Sequence, residues 1–305
     1  MQHVFGPVPS RRLGYSLGVD IIPPKYCSYD CIYCQVGRTT HIATARRSFY
    51  DPGTVVAQVV EKVSSAARVD AITFSGSGEP TLNADLGRMI HEIKGRTTIP
   101  VVVITNGSLL CDKDVRYDLR QADIVLPSLD AVSQDVFERI NRPHPSLDID
   151  AVIEGLKVFR TEFDRQIWLE IMLIKNINDD SHELKKMAKI VTGLNVDRIQ
   201  LNTVTRPPSE PSAGRLPDSY LKEVCKFFGP SCEVISTFEK AAIPVESKAA
   251  SIILETLKRR PLTLEDVAGI TGMPEFEAKT TLGILEKEGL IKTSVLNDKL
   301  FYVSS

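Results

Sequence analysis

The sequence predicts an α/β fold: a partial barrel of six strand–helix units over residues 1–244, then a small winged-helix module over residues 245–305. Three observations predict it. Short β-branched runs alternate with longer amphipathic stretches through the first two hundred or so residues, as parallel βαβ units require. A Pro-rich stretch, Thr205–Pro217, then breaks the alternation. The last stretch reads helix, helix, helix, hairpin.

Leu17–Ile22 reads as the first strand. Ala71–Phe74, Val101–Ile104, Ile124–Leu126, Ile167–Leu173 and Arg198–Leu201 read as the other five. The helical stretches lie near Val55–Ala67, Asp85–Lys94, Lys113–Arg120, Gln134–Ile140, Ile149–Phe163 and Ser181–Thr192. Six strands are too few for a closed eight-stranded barrel and suit a partial barrel or an open sheet. In either, functional groups gather at the C-terminal ends of the strands. Beyond the Pro-rich loop come a helix near Asp218–Phe228, a strand near Glu233–Ser236 and a linker, Thr237–Val245. Ser247–Arg259, Thr263–Ile270 and Glu275–Gly289 then form three helices, with Thr263 placed to cap the second. Leu290–Ser294 and Leu300–Val303 form a hairpin around Asn297-Asp298.

The 305 residues are 43% hydrophobic, enough for a large domain and a small one. Net charge is −2, from 37 Lys+Arg and 39 Asp+Glu, so no basic balance advertises nucleic acid. No apolar run reaches the length of a membrane span, and the start lacks the basic-then-apolar pattern of a secretory signal. A cytoplasmic protein with no membrane partner is expected.

Six cysteines occur, and three of them, Cys27, Cys31 and Cys34, fall within eight positions just after the first strand. Such crowding points to metal rather than disulfides. Three thiolates at x3 and x2 spacing wrap one corner of a cubane cluster and leave the fourth iron open to a small molecule. A structural zinc site is the alternative, and it wants a fourth Cys or His; the nearest, His41, lies seven residues beyond Cys34. Cys111, Cys225 and Cys232 are scattered, as buried small hydrophobes are, although an auxiliary cluster is the other reading of them.

Cys27-Ser28-Tyr29-Asp30-Cys31-Ile32-Tyr33-Cys34 resembles the radical S-adenosylmethionine (SAM) superfamily motif, including Tyr33, the aromatic residue before the last cysteine. The resemblance covers about residues 15–203, where the strand–helix pattern holds. It implies a (βα)6 partial barrel, one 4Fe–4S cluster on the three cysteines, SAM, and an electron donor such as flavodoxin or ferredoxin. Ser75-Gly76-Ser77-Gly78-Glu79-Pro80 is similar to the family's Gly-Glu-Pro segment, which holds the SAM amino group. Glycines let backbone carbonyls approach a ligand, and an ammonium needs acceptors. Thr105-Asn106-Gly107 and Ser128-Leu129-Asp130 resemble the ribose and carboxylate positions. Their plainer readings are a turn and a helix cap. Glu170, inside an apolar strand, must face the barrel interior or find a partner. Asn202, at the end of the sixth strand, is a candidate of the same kind.

The opening, Phe5 to Asp20, resembles a largely uncharacterised group related to the wyosine-type tRNA-modifying synthases. Its Arg11 and Arg12 either bind an anion or form a surface pair steadying the N-terminal loop. Two features separate the chain from those relatives: it has no second N-terminal cysteine cluster and no broadly basic surface. A small-molecule or peptide substrate is therefore expected ahead of RNA. A redox-sensing regulator is a third reading, but it needs a basic recognition helix. The third C-terminal helix instead carries Glu275, Glu277, Glu286 and Glu288 against Lys279 and Lys287. That charge is expected to disfavour DNA and leave a protein or peptide partner, or simple interdomain packing, as the module's role. Lys258-Arg259-Arg260 is read as a helix C-terminus favoured by the dipole.

Overall fold

A computed structural model of the chain describes residues 2–235 and 249–305. The expected linker and the boundary at residue 244 lie outside the described residues.

The chain opens with a hairpin, β1 (Val4–Ser10) and β2 (Gly14–Val19), paired antiparallel. Two short strands, β3 (Tyr26–Cys27) and β4 (His41–Ile42), bracket the cysteine loop. Then follow α1 (Pro52–Ser65), β5 (Ala71–Phe74), α2 (Leu86–Lys94), β6 (Val101–Thr105), α3 (Lys113–Leu119) and β7 (Ile124–Pro127). The second half runs α4 (Gln134–Ile140), α5 (Ile149–Glu162), β8 (Gln166–Leu173), α6 (Ser181–Gly193), β9 (Arg198–Thr203), α7 (Asp218–Phe228) and β10 (Cys232–Val234). Last come α8 (Ala249–Leu257), α9 (Leu264–Thr271), α10 (Glu275–Lys287) and the antiparallel pair β11 (Ile291–Leu296) and β12 (Lys299–Ser304).

The main sheet has the order β1-β2-β5-β6-β7-β8-β9-β10, parallel from β2 onward. The six expected strands form its parallel centre. Strand β1 was not expected, because Gly6, Pro7 and Pro9 interrupt its apolar pattern. An edge position tolerates prolines, since the missing N–H groups need not serve a ladder.

Strand periodicity divides the two faces. Val101 and Val103 of β6 and Val125 of β7 join the main core with Val55 and Val59 of α1 and Leu86 and Ile90 of α2. The alternate residues Ala71, Val102, Leu126 and Trp168 cluster with Leu13 on the opposite face. Two residues further along the same strands that second face turns polar: Thr73, Ser128 and Glu170 follow Ala71, Leu126 and Trp168, and Asn106 lies four past Val102. The inner face is thus apolar at the start of the strands and polar at their C-terminal ends.

The described C-terminal helices pack on the unexpected edge strand. Phe5 and Val8 of β1 share a core with Ile253, Leu257, Leu262, Val267 and Ile270. Lys258-Arg259-Arg260 follows directly on the C-terminus of α8, and Arg259 turns inward there: it lies over the Phe5 ring at 4.6 Å and donates to the Asp20 carboxylate at 2.9 Å. Among the described residues, no helix is long and apolar enough to cross a membrane. Cys225 and Cys232, read as isolated from sequence, are joined in a disulfide between α7 and β10. A helix–turn–strand return brings together two thiols seven residues apart, and that pairing removes them from any auxiliary cluster.

Both partners of the Arg259–Asp20 pair are almost fully covered, at 9% and 6% exposure. Breaking a buried pair from one side strands the other charge, so Arg259→Ala should cost about 3 kcal/mol of unfolding free energy. Equilibrium denaturation checks this, and a loss under about 1 kcal/mol would show the contact to be dispensable.

Candidate functional site

A cavity of about 390 Å³ opens at the polar end of the inner sheet face. Cys27, Cys31 and Cys34 line it together with Tyr33, Ser75, Gly76, Gly78, Glu79, Thr105, Asn106, Ser128, Glu170 and Asn202. Of the residues put forward from sequence as cofactor contacts, Ser77 and Asp130 fall outside the lining.

The cysteine loop is held from several sides. Asn106 Nδ2 donates to Ser28 Oγ at 2.8 Å and lies 3.6 Å from Cys27 Sγ. Asn141 Nδ2 lies 3.4 Å from Cys31 Sγ and donates to Asp130 at 2.8 Å. Ser209 Oγ donates to the backbone oxygens of Cys31 and Ile32 at 2.9 Å each. The Pro-rich loop is therefore a clasp on the cysteine loop. Burial pushes the Cys27 thiol up to about 12 and raises those of Cys31 and Cys34. A bound metal would favour the thiolate forms against that burial.

Asp130 is a brace. Its carboxylate accepts from Tyr33 Oη at 2.5 Å, from Asn141 and from the Met172 N–H at 2.9 Å. Burial raises its pKa to about 6 although the Tyr33 and Asn141 bonds pull it down. Glu79 plays the same part on the other side. It accepts from the Thr81 N–H and hydroxyl, from Thr105 Oγ1 at 2.6 Å and from the Asn106 N–H at 2.7 Å. Burial raises the Glu79 pKa against these four bonds.

The glycines of this segment serve the protein's own packing. A Cβ on Gly78 would meet the Tyr26 carbonyl oxygen at 1.9 Å, and one on Gly76 would meet the Asp20 carboxylate at 2.4 Å. Gly76 also has φ +152°. The sequence suggested that glycine makes room for a ligand. At Gly78 it makes room for the cysteine loop itself. Ser77 turns away from the cavity, and its hydroxyl donates to Asp20 at 2.6 Å.

At the far wall, Arg12 pairs with Glu170, which also accepts from Asn202 at 3.1 Å. Burial favours the neutral acid, but Arg12 outweighs it and holds the Glu170 pKa below its usual value. Arg11 donates to Asn202 Oδ1 at 3.3 Å and to the Ile235 carbonyl at 3.4 Å. Both arginines sit in the cavity wall, so neither is the surface pair the sequence allowed. They lie in the turn between β1 and β2 and reach across to β8 and β9, bridging the two edges of the open barrel. Asn141, Ser209 and Asp20 escaped the sequence reading, because no motif marks them and only the fold brings them to the loop.

The family model of the Radical SAM superfamily matches residues 21–188, more than half of the chain and the span that holds all three cysteines. The chain belongs to the radical SAM superfamily. Within it, the chain is similar to a UPF0026 protein of Helicobacter pylori, 34% identical over 290 residues that cover 92% of this chain and 91% of that one. It is also 40% identical over 305 residues to a protein of Brachyspira hyodysenteriae named GTPase Obg. That match covers 99% of this chain but 45% of the relative, so the chain spans less than half of that protein's length. Among solved structures, TYW1 with a lysine–pyruvate adduct bound superposes with a TM-score of 0.53 at 18% identity, covering 73% of this chain and 75% of that one. That likeness extends the agreement in fold.

The superfamily implies a 4Fe–4S cluster and SAM. The donor set here fits both: three thiols face one cavity, further N–H donors approach two of the sulfurs, and a polar wall stands opposite. Among the described residues, no three His, Cys, Asp or Glu side chains converge on a single ion. A cubane asks for the opposite of convergence, one thiolate at each of three separate corners.

Two outcomes follow. Gly78→Ala should lower the iron content reached on anaerobic reconstitution as well as SAM affinity, because the added methyl pushes on the residue before Cys27. Full iron with weakened SAM binding would instead make Gly78 a ligand-side glycine. Asn141→Ala removes a donor beside Cys31 Sγ and should make the cluster harder to reduce, since such donors stabilise the more negative state. An unchanged midpoint in a potentiometric titration followed by electron paramagnetic resonance would rule that out.

Proposed function

We propose that this chain reductively cleaves SAM at one 4Fe–4S cluster held by Cys27, Cys31 and Cys34, and uses the resulting radical to take a hydrogen atom from a small-molecule or peptide substrate. The observation that carries the reading is that the three cysteines and Ser75, Gly76, Gly78 and Glu79 of the glycine-rich turn line one cavity. The bound pair supplies one-electron cleavage of the sulfonium C–S bond, giving methionine and a 5′-deoxyadenosyl radical. The chain's residues bind, orient and exclude water around it.

In this reading the backbone carbonyls of the Ser75–Gly78 turn accept from the SAM ammonium. Asn106, Ser128 and Asn202 offer hydroxyl and amide groups to the ribose and the carboxylate. Tyr33 flanks the bound ligand with its hydroxyl already committed to Asp130. Glu79 and Asp130 act as positioning residues, since their oxygens are occupied by neighbours. Glu170 is neutralised by Arg12 and keeps its wall polar without a free charge. An external donor, such as a flavodoxin or ferredoxin, brings the electron.

For the C-terminal part we favour a winged-helix arrangement of α8, α9, α10 and the β11–β12 pair, forming its own domain and engaging a protein or peptide. Eight Lys+Arg stand against nine Asp+Glu in its sixty residues, and Phe276 on α10 is 81% exposed. That surface suits an apolar contact better than phosphates.

The test is anaerobic reconstitution followed by SAM and dithionite. About four irons per chain are expected, none of them surviving the triple change of Cys27, Cys31 and Cys34 to Ala. 5′-Deoxyadenosine should form with the parent and vanish with the triple variant. Fractionated cell extract that raises its output then reports the substrate. About eight irons, four of them persisting in the triple variant, would overturn the single-cluster assignment.

A further inference from the structure

Five arginines from three distant parts of the chain line the same cavity: Arg11, Arg12, Arg206, Arg259 and Arg260. Two of them are neutralised nearby. Arg12 pairs with Glu170, Arg259 pairs with Asp20, and Glu255 is shared between Arg259 and Lys258. Of the other three, Arg206 and Arg260 face one carboxylate, Asp266, whose oxygens lie 3.6 Å from Arg206 Nη2 and 3.9 Å from Arg260 Nη2, and Arg11 meets only neutral oxygens. Both distances are too long for hydrogen bonds. Three guanidinium groups against one carboxylate leave two positive charges at this wall of the cavity.

The donors are also unused. Nε and Nη2 of Arg260 are buried and have no hydrogen-bond partner. Arg11 spends one nitrogen on two neutral oxygens at 3.3 and 3.4 Å. Arg206 anchors itself through Nε to the Pro261 carbonyl, which leaves the outer end of its fork beside Arg260. Burial and the neighbouring Arg206 depress Arg11 to about 10 and Arg260 to about 9, so both remain cations at neutral pH. Crowded, partly desolvated cations with idle donors are costly to a fold. A bound anion recovers that cost.

We propose that Arg11, Arg206 and Arg260 form a subsite for a phosphoryl group, carried as a phosphate monoester on the substrate. A monoester brings close to two negative charges at neutral pH and three acceptor oxygens, which matches the two uncompensated charges and the idle forks. Guanidinium forks suit phosphate geometry. A carboxylate brings only one charge. The residues come from the β1–β2 turn, the Pro-rich loop and the segment after α8, so the subsite exists only when the C-terminal part is docked on β1. That the anion belongs to the substrate rests on the radical SAM reading above; that the subsite binds phosphate does not.

The probe is inorganic phosphate, titrated calorimetrically into the reconstituted full chain without SAM or reductant, at constant ionic strength set with chloride. Saturable binding is expected, weakened at least about tenfold in Arg206→Met and in Arg260→Met, the loss of one charged hydrogen-bonding group. In phosphate-free buffer Arg260→Met should melt no lower than the parent, because it removes a buried cation with two unsatisfied nitrogens and leaves Asp266 to Arg206; this separates lost binding from lost folding. Saturating SAM should leave phosphate affinity unchanged. Undiminished binding in both variants would overturn the subsite, as would displacement of phosphate by SAM, which would give these arginines to the SAM carboxylate. Acetate binding as tightly as phosphate, or tight binding of an RNA oligonucleotide with no response to phosphate, would overturn the monoester. Iron content and 5′-deoxyadenosine output of the parent are read separately, so a failure of the radical reading is not mistaken for a failure of this one.

Discussion

The site depends on one buried carboxylate. Glu79, 2% exposed, accepts four hydrogen bonds, two within the turn after β5 and two that tie this turn to the end of β6. One of those donors is the backbone N–H of Asn106, whose side chain then grips Ser28 and approaches Cys27 Sγ. Asp130 repeats the device from β7, through Tyr33 and through Asn141 beside Cys31. The cysteine loop has almost no regular structure of its own, only the two-residue β3. Its shape is imposed by two carboxylates in the turns that follow β5 and β7. Each buried carboxylate is stable because its oxygens are satisfied, and that saturation keeps both from acting as free bases.

Much of this was legible in the sequence. The six parallel strands fell where β-branched runs alternate with amphipathic stretches, since burial on both faces selects those residues. The cysteine spacing and the Gly-Glu-Pro turn are local patterns, and local patterns survive without knowledge of the fold. What was missed is non-local. Asn141 and Ser209 bear on the cysteines from 110 and 178 residues away, and nothing in their own neighbourhoods says so. Arg11 and Arg12 were visible as a pair, but only the hairpin turn shows that they point across the barrel gap. Strand β1 was hidden by its prolines, and with it the surface on which the C-terminal helices rest.

The glycine-rich turn teaches a related point. Its residue types were read correctly as demanding close approach, but the approaching groups are Tyr26 and Asp20. A turn that must hold a ligand on one side has to be fixed on the other. Gly76 and Gly78 allow that fixing by letting the backbone lie against the cysteine loop and the end of β2. Ser77 completes it by bonding Asp20 with both its N–H and its hydroxyl.

Asp20 also explains why the N-terminal hairpin and the C-terminal part belong to the site's architecture. It accepts from Ser77 on one side and from Arg259 on the other, so the Gly-Glu-Pro turn and the residues after α8 share one carboxylate. The parallel sheet from β2 to β10 does not close on itself, and its open edge would admit water to the cavity. Here β1 covers that edge, the turn behind it sends Arg12 to Glu170 and Arg11 to Asn202, and α8 and α9 seal β1 from outside. An apolar plug of equal volume would close the gap with less desolvation cost. An ion pair and a guanidinium close it with a wall that still offers donors to the cavity. The fold gives up some stability at this edge and gains there a polar surface facing the reaction.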